Sequence, residues 1–538
     1  MAEKQLEKTD LVEQHEGPQV EQVKVINGSG AFHEALLKEK PRFLHPRLIL
    51  LLLCTLLGFS CQTMNGFDGS LFGGLTANSK FLDYFNGSND GIWAGLVSSM
   101  YQIGGVCALP FVGPAIDTWG RRMGMFIGAF IIIVGTIISG TTKYNPSVDQ
   151  FMAGRFFLGF GVSIASSAGP IYVVETSHPY YRGILTAYCN TFWFTGSILA
   201  AGSVLGALHL PGTRSWQIPV WLQLVFSSLI CLGACLIPES PRWLYVHNKR
   251  EKAKSILTKW HGLGNPESPW VQLQLSEYEQ FLNTEGSDKR WWDYRKLFSS
   301  RASCYRVACN CVFVIFAQWA GNGALTYFLP AVLDTVGYKS DDVKAKINLG
   351  YACFQYVFAL IGAALVERVG RRPLMLFSMG ACSICWVGVV AASGIYNTTG
   401  ETNQDAARAV IAMIFLFGAV FSVGITPLQA LYPVEVLSFE LRAKGMAFSS
   451  LSVNAAGLLN QFAWPISLKK IGWKTYFVFM VWCMVQTVVF YFFLPETKQR
   501  TLEELDEVFA AKNPVKASLK RHEVMVSTNK EIIEAKEA

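Results

Sequence analysis

Twelve stretches of mostly apolar residues alternate with short polar pieces along this chain, each near the roughly 20 residues that a helix needs to cross a hydrocarbon layer. They read as helices at 48–75, 92–115, 124–141, 151–175, 183–207 and 217–237. After a polar interval come 305–332, 348–366, 373–394, 409–434, 444–467 and 474–494. The pattern predicts an all-α membrane protein of twelve transmembrane helices in two six-helix halves. The domains follow as a tail at 1–47, a half at 48–237, a central loop at 238–303, a half at 304–494 and a tail at 495–538. The central loop mixes 11 basic with 8 acidic residues, which predicts surface helices, with Lys249 to His261 as the clearest. The segment before the first span lacks the short apolar core and small-residue cleavage site of a signal peptide, so the first helix reads as its own signal.

The two halves repeat one another. Asp-Thr-Trp-Gly-Arg-Arg at 117–122 recurs as Glu-Arg-Val-Gly-Arg-Arg at 367–372, each between the second and third helix of its half. Glu175 precedes Arg182 as Glu435 precedes Arg442, seven residues on in both cases. Gly120 and Gly370 allow a tight turn, while the arginine pairs suit exposed helix-end carbonyls and nearby carboxylates. We therefore expect a gating scaffold of Asp117, Arg121, Arg122, Glu175 and Arg182, matched by Glu367, Arg371, Arg372, Glu435 and Arg442. The plainer reading is that these arginines only anchor loops at lipid headgroups.

Composition narrows the function. With 51% hydrophobic and 16% charged residues, the chain is built for a lipid bilayer. The net charge of +7 is scattered over loops and tails, so nucleic acid is not an expected partner. The tails carry 7 and 8 basic residues, which with the 11 of the central loop favours both termini in the cytoplasm. Asn86-Gly-Ser and Asn397-Thr-Thr are glycosylation acceptors in loops that this topology places outside. The 13 cysteines sit mostly in spans, as small apolar packing residues, Cys382 and Cys385 in CxxC spacing among them. No P-loop, catalytic triad or metal-binding set is present, so neither a nucleotide-driven pump nor an enzyme is expected, and no cofactor.

Five ordered motifs carry a family resemblance across about 58–508: Gly-Phe-Asp-Gly (66–69), Gly-Arg-Phe-Phe-Leu-Gly-Phe-Gly (154–161), Pro-Ile-Tyr-Val-Val-Glu with Arg-Gly (170–183), Pro-Glu-Ser-Pro-Arg-Trp-Leu (238–244) and Pro-Glu-Thr-Lys (495–498). On these the chain resembles the sugar porter family of the major facilitator superfamily. The seventh helix reads Ala-Gln-Trp-Ala-Gly-Asn-Gly-Ala-Leu-Thr-Tyr-Phe (317–328), where hexose porters carry Gln-Gln and Gly-Ile-Asn. Asn190 stands where many have Gln, and Ala430 stands at the tenth-helix Trp position. These departures, with Asp-Gly-Ser-Leu-Phe-Gly-Gly (68–74), look like the fungal lactose and cellodextrin permease branch. The missing indole would leave room for a larger solute.

The resemblance implies a major facilitator fold and alternating access, moving a small sugar, in this branch a di- or oligosaccharide, with protons. A monomer in the plasma membrane is the matching expectation. Export or facilitated passage of another metabolite, and a sensor that binds sugar without moving it, remain open. An acidic residue within a span is expensive and is by default a functional hypothesis, which singles out Asp68, with the family's matching Arg155 as its partner. The pair reads either as a proton-coupling device or as static packing. Sugar recognition needs neutral side chains that both donate and accept. Asn190, Gln318, Asn322 and Gln355 stand at family-matching places, with Tyr327, Gln429 and Asn454 beside them. Each has a plainer reading as interhelical glue. Phe157, Trp193 and Trp319 are possible ring contacts.

Overall fold

The structure is a computed structural model that describes residues 22–23, 35–36, 38–40, 45–144, 147–285, 295–400, 403–438, 442–498, 502–519, 522–526 and 532–537. Its body is twelve spans. The first half holds Pro46–Leu75, Gly91–Gly113 continued by a π turn to Thr118, Arg121–Gly140, Val148–Thr176, Arg182–Ala207, and Arg214–Trp221 followed by Gln223–Leu236. The second holds Arg301–Trp319 followed by Asn322–Asp334, Asp341–Val369, Arg371–Thr398, Gln404–Gly424 followed by Leu428–Val436, Arg442–Ile471 and Tyr476–Phe493. Among the described residues ten stretches are long and apolar enough to cross a membrane; the one at Lys444–Phe493 holds two spans, and the fifth span is less apolar than the rest. Helices are the solution lipid imposes, because each backbone N–H and C=O must be satisfied within its own segment. The outer wall shows the solvent: Leu236 is 86% exposed and Ile384 74%.

Local chemistry starts and stops the spans. Pro46 opens the first, with the His45 ring accepting from the Arg47 N–H. Ser147, Ser300 and Asn403 cap the fourth, seventh and tenth through side-chain oxygens. The seventh span breaks at Gly321, whose φ of +106° suits only glycine, and a Cβ there would meet the Trp386 indole at 2.5 Å. Trp386 Nε1 donates to the Ala320 carbonyl freed by the break, at 3.0 Å. Within the first half, helices touch backbone to backbone: a Cβ on Gly159 would overlap the Tyr101 carbonyl oxygen, and one on Gly196 that of Thr63.

Loops alternate between two ends of the bundle. One end carries the Gly-Arg-Arg turns and the central loop; the other carries Asn86 and Asn397, both exposed. We call them the motif end and the sequon end. The described residues of the central loop form the α-helices Pro241–Val246, Arg250–Trp260 and Pro269–Glu285. The middle one matches the expected 249–261 closely; its neighbours left no comparable sequence signal. The tails add a three-stranded antiparallel sheet, with β1 (Gln22–Val23) beside β2 (His522–Val526) and β2 beside β3 (Ile532–Glu537).

The surface helices are pinned to the first half by polar contacts. Arg47 Nη1 donates to the Leu263 carbonyl at 2.6 Å, and Trp270 Nε1 to that of Glu39 at 3.0 Å. His261 bridges Thr176 O (3.0 Å) and Gln274 Nε2 (2.6 Å), so Nε2 carries its proton and Nδ1 accepts. Burial, aided by the Arg182 charge, pushes His261 down to about 4. Burial, with His261 and Arg182 beside it, takes His178 to about 3. Both stay neutral in the fold, whereas the unfolded chain protonates them near pH 6.5. Their contribution is therefore full above about pH 6.5 and falls as pH drops toward about 4, at roughly 1.4 kcal/mol per histidine per pH unit. Thermal unfolding of the purified protein should show this acid slope, and His261→Gln should flatten it; an unchanged slope would refute the assignment.

Candidate functional site

A cavity of about 280 Å³ lies between the halves and is lined from both. From the first half come Gln62 and Asn65 of the first span, Tyr101 and Gln102 of the second, Ser163, Ser166 and Ser167 of the fourth, and Asn190 and Trp193 of the fifth. From the second come Gln318, Asn322, Thr326 and Tyr327 of the seventh span, Thr426 and Gln429 of the tenth, and Ser449 and Asn454 of the eleventh. Among the described residues the lining contains no Asp, Glu, Lys, Arg or His. Amides and hydroxyls that both donate and accept, with tyrosine and tryptophan faces between them, suit a neutral polyhydroxylated solute.

The structure brings six of the seven sequence-predicted recognition residues to this cavity: Asn190, Gln318, Asn322, Tyr327, Gln429 and Asn454. Gln355 stands behind them, its Nε2 donating to Asn322 Oδ1 at 3.0 Å and to the Tyr351 hydroxyl at 3.2 Å. Asn190 Nδ2 also ties the halves together through the Thr426 carbonyl at 2.5 Å. Trp193 is in the lining, whereas Trp319 is not: its Nε1 bonds Ala456 O at 3.1 Å and its ring packs on Trp482. Phe157 is 39% exposed on the outer wall. The side chain of Ala430 lies outside the described residues. Sequence reasoning missed Gln62, Asn65, Gln102 and Thr426, because an amide or hydroxyl within a span does not reveal which way its helix is turned.

Asp68 and Arg155 are both deeply buried, at 0% and 2% exposed, but no ion pair joins them in this structure. Asp68 Oδ1 instead accepts from Gln223 Nε2 of the sixth span at 2.9 Å, and its Oδ2 has no hydrogen-bond partner among the described residues. The Arg155 guanidinium stands over the rings of Phe72 (4.9 Å) and Tyr101 (5.2 Å), with Nε and Nη2 unpartnered among the described residues. Cation–π contact holds the charge without neutralising it. The Tyr101 and Tyr327 hydroxyls converge on Gly69, next to Asp68, at 4.0 and 3.6 Å from where a Cβ would sit. Both tyrosines line the cavity, so the charged pair is one side chain away from it.

At the motif end the sequence repeat becomes a structural one. Arg121 grips Glu175 through Nε (2.8 Å) and Nη2 (3.0 Å) and reaches Asp117 at 3.1 Å. Arg371 grips Glu435 likewise, with Nη2 at 2.6 Å. Arg122 and Arg372 donate to carbonyls at the ends of the sixth and twelfth spans, Ala234 (2.8 Å) and Tyr491 (2.7 Å). Two further carboxylates complete the pattern: Glu239 accepts from the Arg121 N–H at 3.2 Å, and Glu496 from the N–H groups of Arg371 and Arg372 at 3.0 Å. Each sits on a helix N-terminus, where exposed N–H groups favour an anion. Gly120 and Gly370 have φ near +104° and +108° to make this approach. The side chains of Glu367 and Arg442 lie outside the described residues, and Arg182 Nε has no hydrogen-bond partner among them.

Comparison with known proteins places this geometry. The family profile described as "Sugar (and other) transporter" matches residues 53–509. The MFS-type transporter oryC of Aspergillus oryzae is 27% identical over 460 residues, covering 84% of both chains. Polyol transporter 5 of Arabidopsis thaliana is 27% identical over 471 residues, 85% of this chain and 86% of its own. The high-affinity glucose transporter of Kluyveromyces lactis is 27% identical over 478 residues, 84% and 83%. Among solved structures, the proton:xylose symporter XylE bound to 6-bromo-6-deoxy-D-glucose superposes with a TM-score of 0.71 at 18% identity, over 85% of this chain and 99% of that one. The inward-open conformation of XylE from E. coli gives 0.68 at 18% identity, over 85% and 99%.

Proposed function

Since the chain belongs to the Sugar (and other) transporter family, we propose that it moves a small neutral sugar or polyol across a membrane by alternating access. The observation that carries this reading is the cavity between the halves, lined by amides, hydroxyls and aromatic faces with no charged side chain. Its volume of about 280 Å³ sits at the lower edge of small-molecule pockets, which run roughly 300–1,000 Å³. A second reading, transport of a disaccharide such as lactose or cellobiose, is favoured by Ala430 and by Gly323. That glycine leaves its stretch of lining without a side chain, next to Asn322.

Coupling to protons is assigned to Asp68. A buried carboxylate with one oxygen unpartnered, and a buried guanidinium held only over rings, are costly arrangements that call for an explanation. An Asp68 that alternates between holding a proton and pairing with Arg155 supplies it. The arginine–carboxylate clusters at the motif end act as the cytoplasmic gate, and the tails share that side. Asn86 and Asn397 then lie outside, in the plasma membrane by family default, open to glycosylation.

Uptake of labelled glucose, lactose and cellobiose, in yeast lacking its own sugar transporters, tests the reading. We expect saturable uptake, with the disaccharides exceeding glucose. Glucose uptake that lactose and cellobiose do not compete would remove the second reading, and no uptake of any sugar or polyol would remove the first.

A further inference from the structure

We infer that Asp334, on which the sequence placed no role, is the positioning residue that holds the sequon end of the cavity shut. The inference rests on the alternating-access reading above. Asp334 is the last residue of the helix Asn322–Asp334, whose first two turns place Asn322, Thr326 and Tyr327 in the cavity lining. Its carboxylate faces two ways. Oδ2 accepts from Asn89 Nδ2 of the opposite half at 2.6 Å, and Oδ1 pairs with Lys344 Nζ of the eighth span at 2.5 Å. The Lys344 side chain is only 8% exposed.

The arrangement solves a specific problem. A gate must hold when closed yet strand no charge when open. When the halves part, Asp334 gives up Asn89 but keeps Lys344, so the buried ammonium is never left alone, which would be the costly outcome. What Asp334 exchanges on opening is a single charge-assisted hydrogen bond against water. Such bonds shift an equilibrium by roughly tenfold to a hundredfold, strong enough to set a resting state and weak enough to break in every cycle.

Neighbouring contacts cross between the halves at the same end, His209 Nε2 lying 3.5 Å from Asp342 Oδ1. The Ser79 N–H donates to Asp341 Oδ2 at 3.0 Å, and Lys469 Nζ lies 3.5 Å from Asp90 Oδ1. Both residues of the Lys469–Asp90 pair are partly exposed, and water screens such pairs. Asp334 is itself 33% exposed, but its partner Lys344 is buried, so Asp334 is the member of the group whose loss should be felt most. From mid-membrane the lining continues toward the motif end through Ser166, Ser167, Met446 and Ser449, which agrees with closure at the sequon end.

The test reads access to the cavity, not transport. A reporter cysteine at Thr326 is labelled in intact cells with a membrane-impermeant maleimide, and the signal of the same chain without the reporter, which has 13 cysteines of its own, is subtracted. With Asp334 intact, Thr326→Cys should be protected; with Asp334→Asn it should label roughly tenfold faster or more, and Asp334→Glu should restore protection. Equal rates for Asp334 and Asp334→Asn would overturn the proposal while leaving the transport reading in place. Rapid labelling with Asp334 intact would overturn it together with the orientation on which it rests. Should Asp334→Asn fail to reach the surface, Asn89→Cys with Asp334→Cys joined by a short bifunctional thiol reagent gives a second reading. Uptake should then stop and return on reduction, and uptake unaffected by the cross-link would refute the proposal.

Discussion

Asp68→Asn should abolish accumulation of solute above its outside concentration while leaving exchange across the membrane measurable. The asparagine keeps the size of the side chain and an oxygen to accept from Gln223 Nε2, which lies 2.9 Å from Asp68 Oδ1. What it loses is the ability to take up and give back a proton. Binding depends on the neutral cavity lining, so counterflow of labelled sugar without a proton gradient should persist. Arg155→Ala, by contrast, leaves the Asp68 carboxylate buried with no cation to meet, and both modes should fail. Accumulation by the Asp68→Asn variant that a protonophore collapses would place the proton elsewhere and reduce Asp68 to a packing residue.

The second large effect is on stability. Arg121→Leu removes both hydrogen bonds from Arg121 to Glu175, whose side chain is 6% exposed, and leaves that carboxylate with Ser240 Oγ and the nearby charge of Arg242. Breaking a buried pair from one side typically costs about 3–5 kcal/mol, whereas replacing both partners with apolar residues is often near neutral. Thermal unfolding in detergent should therefore show a large loss for Arg121→Leu and substantial recovery for Arg121→Leu combined with Glu175→Leu. Arg371→Leu should behave similarly through Glu435. A double variant no more stable than the single would mean that Arg121 acts through Asp117 or the Ile116 carbonyl instead.

The spans were legible because lipid enforces a coarse rule: about 20 apolar residues per crossing. Even the fifth, less apolar than the others, reads from the sequence as 183–207, against Arg182–Ala207 in the structure. The break in the seventh was not legible, since Gly321 is one of two glycines there and only its φ marks it. The repeat showed that Arg121 and Arg371 are equivalent, and the structure adds Glu239 and Glu496, which stand in the Pro-Glu motifs quoted from the sequence but without a stated role. Cavity residues divided by helix rotation. Gln318 and Asn322, singled out in the sequence, line the cavity, and so do Gln62 and Gln102, which were not singled out. The partner of Asp68 was beyond sequence, because the carboxylate can face Arg155 or Gln223 and composition does not choose between them.

The charge-free lining of the cavity has an electrical consequence. A membrane voltage does work only on charge that moves through it, about 2.3 kcal/mol per elementary charge per 100 mV. An uncharged solute crossing between Asn190 and Asn322 carries none, and the lining adds none of its own. On the proposed coupling, voltage acts on the cycle through Asp68, Arg155 and the proton they handle. A steady current recorded during transport would count coupling ions one by one, and its ratio to solute flux would give the stoichiometry directly.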